Sequence, residues 1–399
     1  MAAGLRNVVV VGGSYVGMNT AKELANLLPA THRVLLVEPH SHFHHLFAFP
    51  RFAISPGHEH KAFIPFTSVF SGAPSPSRHL VARARAVALH PHSLTLDREW
   101  QGSRTLPFDF LVVATGTRLS APGTMPADDK APSVHYLQAY QAGIRAAREV
   151  LVIGGGAVGV QMACDLKEIY PEKRVTLVHS REKLMPAYHE ALSGLVKERF
   201  EELGVELVTG ARAVLPPADG EDGVFGAVLR EVKLSNGATL TADFVIRATG
   251  QTPNTQFLGP LQEEAEEELI NPQNGFIRVL PTLQFADPRY PHLFAVGDVA
   301  DTGAHKAARP GALQAAVAAK NVAALVEGRE AAERLEVAGA GIHLTLGLTK
   351  NVIFRNPDVK EGATEPVIKL KDDGREDMGI EGVWMRRGVT VASPQEYHL

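Results

Sequence analysis

The sequence predicts an α/β chain with two parallel-sheet units, one inserted in the other, and a small C-terminal α+β domain. Three observations predict it. Residues 8–24, "VVVVGGSYVGMNTAKEL", run from an apolar strand through a glycine turn into a helix. Residues 150–166, "VLVIGGGAVGVQMACDL", do the same. Downstream, "FDFLVVATGT" (108–117) and "ADFVIRATGQTPNT" (242–255) are both apolar strands that end in Ala-Thr-Gly. At 399 residues the chain exceeds one ordinary domain, and its 45% hydrophobic and 21% charged content suits a globular protein with large cores.

Each element follows in order. The first unit has a strand Asn7–Val11, a glycine turn Gly12–Gly17, a helix to about Leu28 and a second strand, "RVLLVE", ending at Glu38. The second has a strand Glu149–Ile153, a turn Gly154–Gly159, a helix to about Tyr170 and a strand, "RVTLVH", ending at His179. These are Rossmann-like β-α-β units. The first glycine permits the tight turn, the second admits a pyrophosphate to the backbone, and the third lets helix and strand pack closely. A hairpin precedes each Ala-Thr-Gly strand, as in "VKLSNGATLTA" with its Asn-Gly turn. The expected domains are 1–130 with 251–325, then 131–250 inserted between them, then 326–399.

The site candidates lie on these turns. Gly12, Gly13, Ser14, Tyr15, Val16 and Gly17 form the first loop, with Ser14 at the middle glycine position, where its hydroxyl can donate to phosphate. Gly154, Gly156, Ala157, Val158 and Gly159 form the second. Glu38 is placed to accept from adenosine ribose hydroxyls, as in FAD and NAD sites. The second unit has no acid there; His179, Ser180, Arg181 and Lys183 gather instead. Arginine beside a missing carboxylate favours a 2′-phosphate, hence NADPH slightly over NADH; a solvated basic turn serving both nucleotides stays open. Ala114, Thr115 and Gly116 on the first unit and Gly250 on the second complete the strand ends. "HLFAVGDVAD" (292–301) carries Asp298 on the turn after a strand, suited to a flavin ribityl hydroxyl. The helix "RPGALQAAVAAKNVAALVEG", with Pro310 near its start, offers amides around Gly311 to the N1–O2 edge of a reduced flavin.

With these motifs the chain resembles the two-dinucleotide flavoprotein reductases over about residues 5–325. Within them it is most similar to the apoptosis-inducing-factor-like, mitochondrion-associated 2 (ferroptosis suppressor protein) branch. That closer likeness rests on "SHFHHLFAFPRFAISPGHEHKAFIPF" (41–66), Lys306 and "IHLTLGLTKNVIF" (342–354). The resemblance implies FAD on the discontinuous domain, NAD(P)H on the inserted one, a C-terminal domain covering the flavin, and a quinone or other diffusible acceptor. The sequence departs from the branch at Ser14, at Gln161, where many relatives carry glutamate, and at its "MAAG" start, which lacks the Met-Gly of myristoylation.

Two further candidates, Lys306 and Arg51, are expected at the flavin: Lys306 to neutralise its reduced form or steer an acceptor, Arg51 to contact flavin or phosphate. Each also reads as an ordinary surface residue. His40, His42, His44, His45, His58 and His60 crowd one stretch without metal-ligand spacing, so no metal is expected. The run "QEEAEEELI" (262–270) reads as an exposed helical face. Cys164 is the only cysteine, which excludes a relay through a protein dithiol. A net charge of −4 gives no reason to expect nucleic acid. No signal peptide or ~20-residue apolar run is present, so a cytoplasmic protein, at most peripheral to a membrane or lipid surface, is expected. The oligomeric state is open. The leading reading is an FAD-dependent NAD(P)H oxidoreductase serving a quinone-like acceptor. A biosynthetic flavin oxidase or oxygenase, a redox-sensing interaction protein and a reductase serving a protein acceptor are its competitors.

Overall fold

The computed structural model describes residues 4–214 and 229–399. Its first parallel sheet is ordered Leu293–Ala295, Phe110–Val113, Arg6–Val11, His32–Val37, Leu80–Ala82. The second is ordered Phe244–Arg247, Glu149–Ile153, Arg174–Val178, Glu206–Val208. In both, the strand before the glycine turn sits between the strand that returns from the helix and the strand that ends in Ala-Thr-Gly. Val11 pairs with Val37 and Val113, and Ile153 with Val178 and Arg247, so equivalent residues hold equivalent registers. Such strands are covered on both faces, which is why they read as unbroken Val, Leu and Ile rather than alternating. Val8, Val9 and Val10 are indeed wholly buried.

Helix Tyr15–Leu27 returns across the first sheet and packs beside helix Ala308–Val326. Small residues, Ala21 and Ala25 on one and Ala318 and Ala319 on the other, share a core there. Helix Ala157–Ile169 plays the same part in the second unit. The Asn-Gly hairpin forms as read: Arg230–Leu234 pairs antiparallel with Thr239–Ala242, and Gly237 takes φ +89° in the turn. The acidic run departs from expectation. Its helix, Gly259–Glu264, stops early, and Leu269 turns inward with its N–H donating to Gln262 Oε1 at 2.8 Å. Burying Leu269 outweighs continuing a helix of like charges.

The C-terminal part is an antiparallel sheet of Gly341–Thr345, Lys350–Arg355 and Val367–Asp372, followed by helix Ile380–Arg386. Trp384 on that helix is fully buried, and its indole donates to the Lys61 carbonyl at 2.8 Å. One core joins all three parts. Phe49, Phe52 and Phe63 pack with Leu137, Ala163 and Cys164 of the inserted unit and with Leu344, Val352 and Phe354 of the C-terminal sheet. Among the described residues, no helix is long and apolar enough to cross a membrane.

Candidate functional site

The first glycine turn is shaped by contacts that admit no side chain. Gly12 takes φ +103°, and a Cβ there would stand 2.5 Å from the Ala114 carbonyl oxygen. A Cβ on Gly17 would lie 1.8 Å from the Gly12 carbonyl oxygen, so the helix can approach the strand only without one. Ser14 is the N-cap of helix Tyr15–Leu27, and its hydroxyl makes no capping bond. It is left available beside the free amides of the first turn.

Glu38 lies under this loop, buried, and its Oε2 accepts from the Gly13 N–H. Its Oε1 accepts from the His40 N–H at 3.0 Å and meets the His40 ring. The second unit repeats the bond with a different partner. Gly155 N–H donates to His179 Nδ1 at 3.0 Å. Gly154 takes φ +118°, and a Cβ on Gly159 would be 1.9 Å from the Gly154 carbonyl oxygen. Gly156 is the N-cap here and has open space around it. His179 is thus the counterpart of Glu38, with the polarity of its outer edge reversed. Because Nδ1 accepts, the proton of the neutral ring sits on Nε2, which is buried and makes no hydrogen bond. Burial lowers the His179 pKa, the Arg181 charge adds to this, and the Lys183 carbonyl opposes it.

The expected basic cluster is only partly assembled. Arg181 is exposed at the strand end. Lys183 turns away, and its Nζ donates to the Tyr188 carbonyl at 2.8 Å.

Asp298 reaches the first loop through a wedge. A Cβ on Gly311 would stand 2.3 Å from Val16 Cγ2, and one on Gly297 would stand 3.2 Å from the same side chain. Val16 therefore sits where the glycine loop, the Asp298 turn and the start of helix Ala308–Val326 converge. The Gly297 N–H donates to Gln314 Oε1 at 2.7 Å, which ties that turn to the helix. Burial raises the Asp298 pKa, and Lys306 opposes the rise. Lys306 donates to the Ala300 carbonyl and lies 4.0 Å from the Phe276 ring centroid, so it is a fixed charge near Asp298.

Arg51 requires a correction. It is wholly buried, its Nε donates to Asp165 at 2.6 Å, and its Nη2 donates to the Gly347 carbonyl at 2.8 Å. Its Nη1 points to the Arg375 carbonyl at 3.3 Å. A guanidinium that is wholly buried, with each of its three nitrogens donating to a protein oxygen, presents no surface to flavin or phosphate. Arg51 instead fastens the inserted unit's helix and the C-terminal part to the 43–54 segment.

The histidine run divides. His44 and His45 are buried, while His60 stacks on His398 at 4.2 Å between centroids. The Tyr15 hydroxyl lies 2.7 Å from His45 Nδ1, and burial, helped by Arg387 and Arg386, lowers the His45 pKa to about 3. Phe47, 4.9 Å from the Tyr15 ring, remains 52% exposed, leaving an aromatic edge open to solvent beside the first loop. Among the described residues, no group of three or more His, Cys, Asp or Glu is placed to hold a metal.

The two Ala-Thr-Gly turns meet. Gly116 and Gly250 both take positive φ, and beyond them Thr117–Leu119 pairs antiparallel with Gln251–Pro253. Asn254 Nδ2 donates to the Thr115 carbonyl at 2.9 Å, while Thr115 Oγ1 donates to the Asn254 carbonyl at 2.8 Å. Sequence reading did not single out Asn254, because nothing but the fold brings it back to residue 115.

A family model described as pyridine nucleotide-disulphide oxidoreductase matches residues 6–321. The chain belongs to that family. Fe-regulated protein 8 of Mycosarcoma maydis is 32% identical to it, over 97% of this chain and 96% of that protein. Ferroptosis suppressor protein 1 of Mus musculus is 29% identical over 80% of each, and apoptosis-inducing factor homolog B of Dictyostelium discoideum is 25% identical over 91% and 93%. The sulfide:quinone oxidoreductase of Aquifex aeolicus shares the fold, with a TM-score of 0.71 at 19% identity over 98% of this chain and 94% of that one. Membership makes the chain an FAD-dependent oxidoreductase of pyridine nucleotides. The two glycine cradles, the lone Glu38 and the wedge at Val16 fit both cofactors.

Proposed function

We propose that the protein holds FAD at the first glycine loop and NAD(P)H at the second, and reduces a quinone-like small acceptor. In this reading residues 1–130 and 251–325 hold the flavin and 131–250 the nicotinamide nucleotide. FAD held there would supply the hydride-accepting and electron-releasing chemistry. The chain supplies position and charge. Gly12, Gly17 and the Ser14 hydroxyl receive the FAD pyrophosphate, Glu38 the adenosine ribose, and Asp298 the ribityl chain. Lys306 keeps a positive charge nearby. Gly154, Gly156 and Gly159 receive the second pyrophosphate. His179 stands where the first unit has the Glu38 carboxylate, and Arg181 is exposed beside it, which favours NADPH.

One observation carries the choice of a small acceptor. Cys164 is fully buried and burial pushes its thiol well above the usual range, so it offers no thiolate through which electrons leave. Electrons then leave the flavin directly to an acceptor that approaches it, and the exposed Phe47 edge supports an apolar, small one. Anaerobic stopped-flow tests this: reduction by NADPH or NADH, then mixing with a short-chain quinone. Fast reduction with fast quinone-driven reoxidation is expected. Slow reoxidation by quinone would overturn the acceptor and point to oxygen, a metabolite or a protein.

A further inference from the structure

The turn between strand Arg174–Val178 and helix Glu190–Leu203 crosses from the second glycine loop to the Asp298 turn. Its start is fastened to the loop, where the Met185 N–H donates to the Gly155 carbonyl at 2.8 Å. Gly155 is the residue whose own N–H is held by His179. Met185 takes φ +49°, a conformation costly for a side-chain-bearing residue, which persists only where surroundings enforce it. The far end is clasped by the C-terminal part. Asn356 Nδ2 donates to the Ala187 carbonyl at 3.0 Å, and its Oδ1 accepts from the His189 N–H at 2.8 Å.

Between these fastenings the chain presents Tyr188, buried, with its N–H on the Met185 carbonyl at 3.0 Å and its own carbonyl held by Lys183. Its hydroxyl lies 2.6 Å from His305 Nε2, and the rings meet edge to face at 5.3 Å and 73°. His305 precedes Lys306, in the segment between Asp298 and helix Ala308–Val326. Burial holds the phenol protonated, its pKa raised to about 12, and keeps the imidazole neutral. The bond therefore joins two neutral, directional groups in a low-dielectric place, where it is strong for its kind.

We propose that Tyr188 and His305 are a positioning pair for hydride transfer, setting the nucleotide held at Gly154–Gly159 against the flavin site at Asp298. The inference rests on the reading that NAD(P)H reduces FAD. A line of contacts runs from Gly155 through Met185 and Tyr188 to His305, and it joins the two nucleotide units through one hydroxyl. Neither side chain belongs to a glycine loop, so the pair acts through the elements it connects. A misplacement near 1 Å at such a junction costs roughly a hundredfold in rate.

Tyr188→Phe removes the hydroxyl and keeps the ring, including its edge contact with Phe354. The variant should purify with its flavin and bind ADP-ribose with unchanged affinity by calorimetry. Its anaerobic reduction by NAD(P)H should slow by about ten- to a hundredfold, while quinone reoxidation of dithionite-reduced protein keeps the wild-type rate. With Tyr188 intact, His305→Gln, which keeps a hydrogen-bonding group at that place, should retain most of the reduction rate, and His305→Phe should lose it. Hydrogen exchange gives a readout apart from turnover. ADP-ribose should protect amides of both 185–189 and 298–306 in the wild type, but only 185–189 in Tyr188→Phe. Unaltered reduction in Tyr188→Phe, equal slowing of both half-reactions, or protection of 298–306 that survives the substitution would each overturn the pairing. A wild-type protein that neither nucleotide reduces would instead remove the underlying reading, and the exchange experiment would still decide whether the two segments are coupled.

Discussion

In the proposed assignment, single residues at equivalent places distinguish the two loops. Glu38 and His179 receive the equivalent backbone N–H, yet one is a carboxylate and the other an imidazole whose remaining nitrogen carries a proton. Replacing His179 with glutamate should move the preference toward NADH, lowering affinity for 2′,5′-ADP by tenfold or so, about 1.4 kcal/mol, relative to ADP. Calorimetry with the two ligands checks it, and an unchanged ratio would refute it. His45 yields a prediction about pH. Its folded pKa is about 3 against an ordinary 6.5, so the unfolded chain binds the extra proton and stability falls as pH drops below about 6.5. By pH 5 this single group costs about 2 kcal/mol. Urea unfolding of His45→Gln at pH 7 and pH 5 should show a smaller loss than the wild type. Arg51 makes the opposite point about legibility. Its type and place suggested an anion, but its partner Asp165 lies 114 positions away, and only the folded chain reveals that the charge is already spent. Arg51→Met should leave that carboxylate buried and unpaired, at a cost of about 3–5 kcal/mol measurable by chemical denaturation.

Elements were far more readable than the contacts between them. Glycine turns, parallel strands and the Asn-Gly hairpin follow from local chemistry: positive φ, absent Cβ atoms and burial on both faces. The likeness of the two units is therefore written in the sequence itself. The Tyr188–His305 bond and the Asn254 clasp could not, because their partners are brought together by the crossing of two units rather than by spacing. The acidic run misled for a related reason, since one inward-turning leucine outweighed six residues of local pattern. At this scale the cradle itself can be tested. Gly159→Ala puts a methyl into the Gly154 carbonyl and forces helix and strand apart. It should weaken NAD(P)H binding by more than about tenfold, equivalent to roughly 1.4 kcal/mol, and leave the flavin in place. Loss of the flavin instead would exchange the assignments of the two loops.

At the scale of the whole molecule, the three parts share a core as well as a chain. Phe49, Phe52 and Phe63 touch residues of both the inserted unit and the C-terminal sheet, and the Arg51–Asp165 pair lies within the same joint. Calorimetric unfolding should accordingly give one cooperative transition, whereas separate peaks for the parts would show that this joint contributes little. The covalent joint is just as compact. Thr117–Leu119 before the inserted unit and Gln251–Pro253 after it are neighbouring strands of one ribbon. An insert whose ends lie about one strand spacing apart, ~4.8 Å, asks its host to open no wider than a hairpin does.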